Sequence, residues 1–153
     1  MKIKIEIDDG LAEEEIVIRC KSLSEDVISI QKRITDAVNS RMQLEVSRGE
    51  KEYYITIDEI LFFETEASGV VVHTANQIYE TKYRLYELED LLPGNFVRVA
   101  KSTILNASKV RAINKNITGA SEVEFAGSNK KVFVSRNYLK LLMTKLEEKR
   151  LMK

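Results

Sequence analysis

The chain has 153 residues, of which 44% are hydrophobic, with 24 basic and 24 acidic side chains, one histidine and one cysteine. That length and apolar content suit one real core carrying one functional domain and an appendage. The lone Cys20 excludes an intrachain disulfide and a cysteine-built zinc cluster, and the longest apolar run, Ile60-Leu61-Phe62-Phe63, is far too short to span a membrane.

In chain order, Ile3, Ile5 and Ile7 alternate with Lys2, Lys4 and Glu6, the period of a half-buried strand, and Asp8-Asp9-Gly10 reads as a turn. This opening offers no continuous apolar core for a signal peptide, so a cytoplasmic protein is expected. A second strand is predicted over Glu14 to Arg19. Ser22-Leu23-Ser24-Glu25 has the spacing of a capping box, and Val27, Ile30, Ile34, Ala37 and Val38 follow at helical spacing. Met42 to Ser47 reads as a strand. Residues 1–46 thus form a predicted β-β-α-β unit, too small to be comfortable alone and suited to dimerisation or partner docking. Cys20 within it is expected to be a small buried or half-buried side chain.

From Gly49 the texture changes to short strands: Tyr53–Ile57, Ile60–Glu64, Val70–Thr74 and Gln77–Thr81, punctuated at Asp58-Glu59, Ala67-Ser68-Gly69 and Ala75-Asn76. A short helix with Leu85, Leu88 and Leu92 on one face stops at Pro93-Gly94. Strands resume at Phe96–Ala100, Lys109–Asn114, Ser121–Ala126 and Lys131–Val134, and a final helix from Arg136 carries Leu139, Leu142, Met143 and Leu146 on one face.

The neutral total hides an uneven distribution. Residues 1–46 hold 7 basic against 10 acidic side chains, residues 47–94 hold 4 against 10, and residues 95–153 hold 13 against 4. The net charges are −3, −6 and +9, so the last third can present a basic face to a polyanion while the acidic remainder limits indiscriminate binding. Part of that excess (Lys149, Arg150, Lys153) belongs to an ordinary solvated helix end.

Catalytic motifs are missing. His73 stands beside three valines in a predicted strand and reads as a packing or rim residue, while Glu13-Glu14-Glu15 and Glu87, Glu89 and Asp90 read as solvated faces. No glycine-rich phosphate loop or nucleophile-base pair accompanies them, so no enzyme, metal, cofactor or small-molecule substrate is expected. Two basic clusters remain. If the strand ends at Ala100, Lys101 and Ser102 leave the sheet edge as phosphate partners. Ser135 is a natural N-cap, placing Arg136 in the first helical turn, where a cation opposes the helix dipole by up to about 1 kcal/mol. An arginine there suits an anionic or base-edge partner, with bidentate guanine contact the natural candidate.

Four ordered blocks carry a resemblance: Ile57-Asp58-Glu59-Ile60-Leu61-Phe62-Phe63-Glu64, Leu85 through Pro93, Phe96-Val97-Arg98-Val99-Ala100-Lys101-Ser102-Thr103-Ile104-Leu105-Asn106, and Val134-Ser135-Arg136-Asn137-Tyr138. Together they resemble the LytTR family over roughly residues 47–150. The resemblance implies an α+β, mostly β DNA-binding domain over 47–153, of small antiparallel sheets with one short internal helix and a C-terminal helix, preceded here by the 1–46 unit. It implies a bacterial transcriptional regulator that sets loops in successive major grooves at direct repeats of duplex DNA. By position, Arg136 would read a base and Lys101 would make a second base-proximal contact. The turn at Ala67-Ser68-Gly69, through Ser68 and Gly69, would be the third contact region. Ser102, Ser135 and Asn137 would lie on the phosphate side, with Lys130 and Lys131 nearby. The chain departs from the family at Ala100, where histidine is common, and in a short 67–69 turn that has no basic reader. No receiver domain is evident, so phosphorylation of one is not the expected switch. A homodimer and a small membrane-protein inhibitor are the implied partners besides DNA; an adaptor module that has lost DNA binding is the alternative.

Overall fold

The computed structural model describes residues 1–39, 41–116 and 118–148. Two compact units divide the chain, one of Met1–Thr35 and one beginning at Asp36.

In the first unit, the predicted strands at 3–7 and 14–19 are absent: residues 1–24 contain no strand or helix. Alternation makes a strand only when a ladder partner and an apolar surface receive it, and Ile3, Ile5 and Ile7 are 94%, 87% and 96% exposed. Cys20 is exposed too, contrary to expectation. The turn at Asp8-Asp9-Gly10 does form, closed by the Gly10 N–H donating to the Asp8 carboxylate at 2.9 Å. Helix α1 (Glu25–Asn39) starts one residue after Ser24, whose Oγ accepts from the Val27 N–H at 3.3 Å, so Ser24 rather than Ser22 is the cap.

In the second unit, β1 (Gln43–Arg48) pairs in full antiparallel register with β2 (Lys51–Thr56) about Gly49, which adopts φ 64°. The last strand of the expected β-β-α-β unit therefore belongs to this sheet, and the boundary falls before it, not after residue 46. A 3₁₀ turn at Ile57–Glu59 leads to β3 (Ile60–Glu66), β4 (Gly69–Thr74), β5 (Ile78–Thr81) and helix α2 (Leu85–Leu91). Then come β6 (Phe96–Ala100), β7 (Thr103–Asn106), a 3₁₀ turn, β8 (Val110–Asn114), β9 (Ser121–Phe125), β10 (Lys131–Val134) and helix α3 (Arg136–Glu148). The strands make a seven-stranded antiparallel sheet, order β2-β1-β5-β4-β3-β7-β6, and a three-stranded one, order β10-β9-β8.

Strand β7 is the one the sequence conceals. Its four residues are all buried, so no alternation marks it, yet it joins β3 to β6. The large sheet is apolar on both faces. Phe63, Ile60, Val72 and Ile104 pack in one core with Leu85 and Leu88 of α2. Phe62, Val97, Val99 and Leu105 pack in the other with Val123 and Phe125 of β9, Val134 of β10 and Leu142 of α3. Adjacent phenylalanines thus serve opposite cores, as the two-residue strand period requires. Asn106 is fully buried at the end of β7 and satisfied there: its amide donates to the Ile60 carbonyl at 3.0 Å, and its oxygen accepts from Asn95 Nδ2 at 2.8 Å.

Candidate nucleic-acid interface

Three chain reversals distant in sequence meet along one edge of the second unit. The first is the β3–β4 turn at Ala67-Ser68, opened by Gly69 at φ 129°, a conformation other residues rarely adopt. The second is the β6–β7 turn at Lys101-Ser102, and the third is the corner at Ser135 between β10 and α3. Backbone hydrogen bonds join them: Thr65 N–H donates to the Ser102 carbonyl at 2.8 Å, and Ser135 N–H donates to the Val99 carbonyl at 2.9 Å. Val99 lies in the register slip of β6 against β7 between Arg98 and Ala100 and has no ladder partner on β7, and β6 is the edge strand of its sheet.

The side chains at this edge are open to solvent. Ser68, Gly69, Lys101, Ser102, Arg136 and Asn137 are exposed, and Ser135 is half-buried. Arg136 opens α3, as its sequence position implies, with the first-turn bond running from Tyr138 N–H to the Ser135 carbonyl at 2.9 Å. Exposed cations and hydroxyls on short turns between rigid strands are suited to phosphate oxygens and base edges.

Lys130 and Lys131 do not join this edge. They precede Ser135 by the length of β10, roughly 13–16 Å of extended chain, and both are engaged. Lys130 Nζ lies 3.1 Å from the Gln77 carbonyl and 3.3 Å from His73 Nδ1, at the other end of β4. Lys131 pairs with Glu122 at 3.0 Å, and that carboxylate raises its pKa. Sequence proximity to Arg136 grouped these lysines with it; the intervening strand separates them.

His73 is 8% exposed and stacks on Phe62 with ring centroids 4.1 Å apart. Glu64 and Glu66 stand with it as a three-ligand cluster, and the His73 Nε2 to Glu64 carboxylate distance is 3.6 Å. The cluster is not built for a cation. A Lys130 ammonium donating to Nδ1 leaves the ring proton on Nε2, which is buried without a hydrogen-bond partner and offers the carboxylate side no free lone pair. Burial, helped by the Lys130 charge, lowers the His73 pKa to about 4 from 6.5.

Arg98 was assigned no role from the sequence because it is one polar residue in an alternating strand. Its side chain is 24% exposed and the guanidinium makes three contacts: Nε donates to the Ala100 carbonyl at 2.8 Å, and the terminal nitrogens reach the Lys101 carbonyl and the Glu89 carboxylate of α2. A cation between two buried valines was the available signal.

A mostly β domain presenting basic turns from the edge of a doubly covered sheet is a scaffold for recognition by loops. Residues 50–147 match the LytTr DNA-binding domain family, well over half of the sequence, and the chain belongs to that family. The family is one of DNA-binding domains and not of enzymes. The chain is similar along 95% of its length, at 29% identity, to an uncharacterized HTH-type transcriptional regulator of Staphylococcus aureus strain NCTC 8325 / PS 47, 98% of which is covered. It has 28% identity over the same span to the counterpart in strain MRSA252. The fold matches a LytTr DNA-binding domain from Bacillus cereus with a TM-score of 0.64 at 20% identity, covering 69% of this chain and 97% of that one. Strands separate each of the three α-helices from the next, so the described residues contain no helix-turn-helix. Nor is any described helix long and apolar enough to cross a membrane.

Because folded His73 stays neutral to about pH 4 while the unfolded residue takes up a proton near 6.5, the unfolded state binds more protons between those values, and stability falls as pH falls across them. Urea unfolding of the wild type and His73→Gln at pH 7 and 4.5 is expected to show a smaller acid loss in the variant. Equal losses would assign the acid sensitivity to other groups.

Proposed function

We propose that this chain is a bacterial transcriptional regulator, working in the cytoplasm, that binds direct repeats in duplex DNA with its three adjoining turns in successive major grooves. The observation that carries this reading is the pair of backbone bonds that gather the turns at 67–69, 101–102 and 135–137 onto one edge. The whole-length likeness to proteins named as transcriptional regulators supports the regulatory part. In this arrangement Arg136 reads a base edge and Lys101 contacts the backbone or a neighbouring base. Ser102, Ser135 and Asn137 take phosphate oxygens, and the backbone at Ser68 and Gly69 approaches the duplex without a basic reader. Lys130 and Lys131 add to the attractive field from a distance.

Selection from a random duplex library is expected to enrich a repeated motif. On that motif Arg136→Ala loses roughly 1–3 kcal/mol of specific binding, read by fluorescence anisotropy. Lys101→Ala weakens specific and random duplexes alike and lowers the salt slope by about one unit. No enrichment at low salt would instead favour an adaptor on the same scaffold.

Residues 1–35 serve self-association in this reading, since Ile3, Ile5, Ile7, Ile16 and Val17 are all more than half exposed. Sedimentation of the full chain at micromolar concentration is expected to give a dimer mass that falls to the monomer when Ile3, Ile5 and Ile7 are all changed to Ser. A monomeric wild type contradicts this role.

A further inference from the structure

The β6–β7 turn carries four successive carbonyls, from Val99 to Ser102, each of which accepts a hydrogen bond from outside the strand pair or from Arg98. Val99 accepts from the Ser135 N–H at 2.9 Å and Ser102 from the Thr65 N–H at 2.8 Å. The two between them are both taken by one guanidinium, Arg98 Nε at 2.8 Å on Ala100 and its Nη2 on Lys101. The third arm of the same group pairs with Glu89 on α2, a helix anchored in the core by fully buried Leu88. A planar fork fixed at one end by a carboxylate holds two carbonyls in one orientation, which a lysine cannot do. We infer that Arg98 is the positioning residue of the DNA-contacting turn, holding the Lys101-Ser102 backbone in the register that their contacts require.

Arg98 acts here through the turn and not on DNA. Three of its five N–H donors, one on each nitrogen, are engaged within the protein, whereas the Lys101 side chain it steadies is exposed. A turn without this brace keeps its charge but loses its fixed geometry. Attraction to any duplex then persists, while discrimination, which needs side chains held in place, is lost.

The inference rests on the DNA-binding reading, and two measurements on the full chain separate the two. Amide exchange at Thr65, whose N–H is held by the Ser102 carbonyl, is expected to accelerate about tenfold or more in Arg98→Ala without DNA present. On the selected duplex, Arg98→Ala loses about tenfold or more in affinity, the scale of one base contact, with random-duplex affinity and salt slope unchanged. Arg98→Lys, able to reach one carbonyl, falls between, and Glu89→Gln, which keeps both carbonyl bonds, loses less than either. If Arg98→Ala does not fold, Arg98→Gln and Arg98→Lys carry both readouts. Unchanged Thr65 exchange overturns the inference. So does a lower melting temperature with unaltered duplex preference, the mark of a merely structural arginine. A matching loss on random duplex with a shallower salt slope also overturns it, because Arg98 would then touch phosphate itself. Should the wild type enrich no duplex, the proposed function fails while Thr65 exchange still decides whether Arg98 holds the turn.

Discussion

The one-residue slip at Val99 is the constraint that the edge of adjoining turns is built around. Val99 keeps its side chain fully buried among Val97, Val134 and Leu142, so the strand cannot rotate there, and its carbonyl leaves the β6–β7 ladder to receive the Ser135 N–H. That one acceptor connects the seven-stranded sheet to the start of α3. Without it, the corner bearing Arg136 would be held against β6 by side-chain packing, while the turn bearing Lys101 keeps its bonds from Thr65 and Arg98. With it, both are tied to backbone whose position is set by a dry core, and rigid backbone can aim short turns.

The double-sided sheet explains why such a scaffold needs little else. β3 and β7 contribute apolar residues to both cores, α2 closes one face, and the small sheet with α3 closes the other. Polar groups inside are few, and His73 Nε2 is the one buried side-chain nitrogen or oxygen among the described residues without a hydrogen-bond partner. Asn106 bridges Ile60, Asn95 and Ser108, while His73 stays neutral between Lys130 and Glu64. Charge lies outside, and its sign varies along the chain, so a molecule of zero formal charge still offers exposed Lys101 and Arg136 on one edge.

Much of this was legible in the residues. The strands from β3 to β6, α2 with its Pro93-Gly94 stop, and α3 with Arg136 in its first turn announce themselves by period and cap. Ordered blocks of family motifs then point to the turns. The failures have physical causes. β7 is buried on both sides, and two-residue alternation vanishes when neither face meets water. The isoleucines at 3, 5 and 7 alternate faithfully but have no ladder partner, so pattern alone produced a strand that one chain does not form. Lys130 and Lys131 are near Arg136 in sequence and a strand away in space. The role of Arg98 was not legible because its acceptors are backbone carbonyls, which exist as targets only once the bulge and turn have formed.

In the proposed function the turns at 67–69, 101–102 and 135–137 form one contact edge for duplex DNA. Backbone amide shifts, followed as a selected duplex is titrated into the labelled full chain, test it most directly. The largest changes are expected at Ser68, Gly69, Lys101, Ser102, Arg136 and Asn137, saturating together, with the 128–131 loop and β2 little altered. Changes centred on Lys130 and the β4–β5 turn, or on the first unit alone, would contradict it.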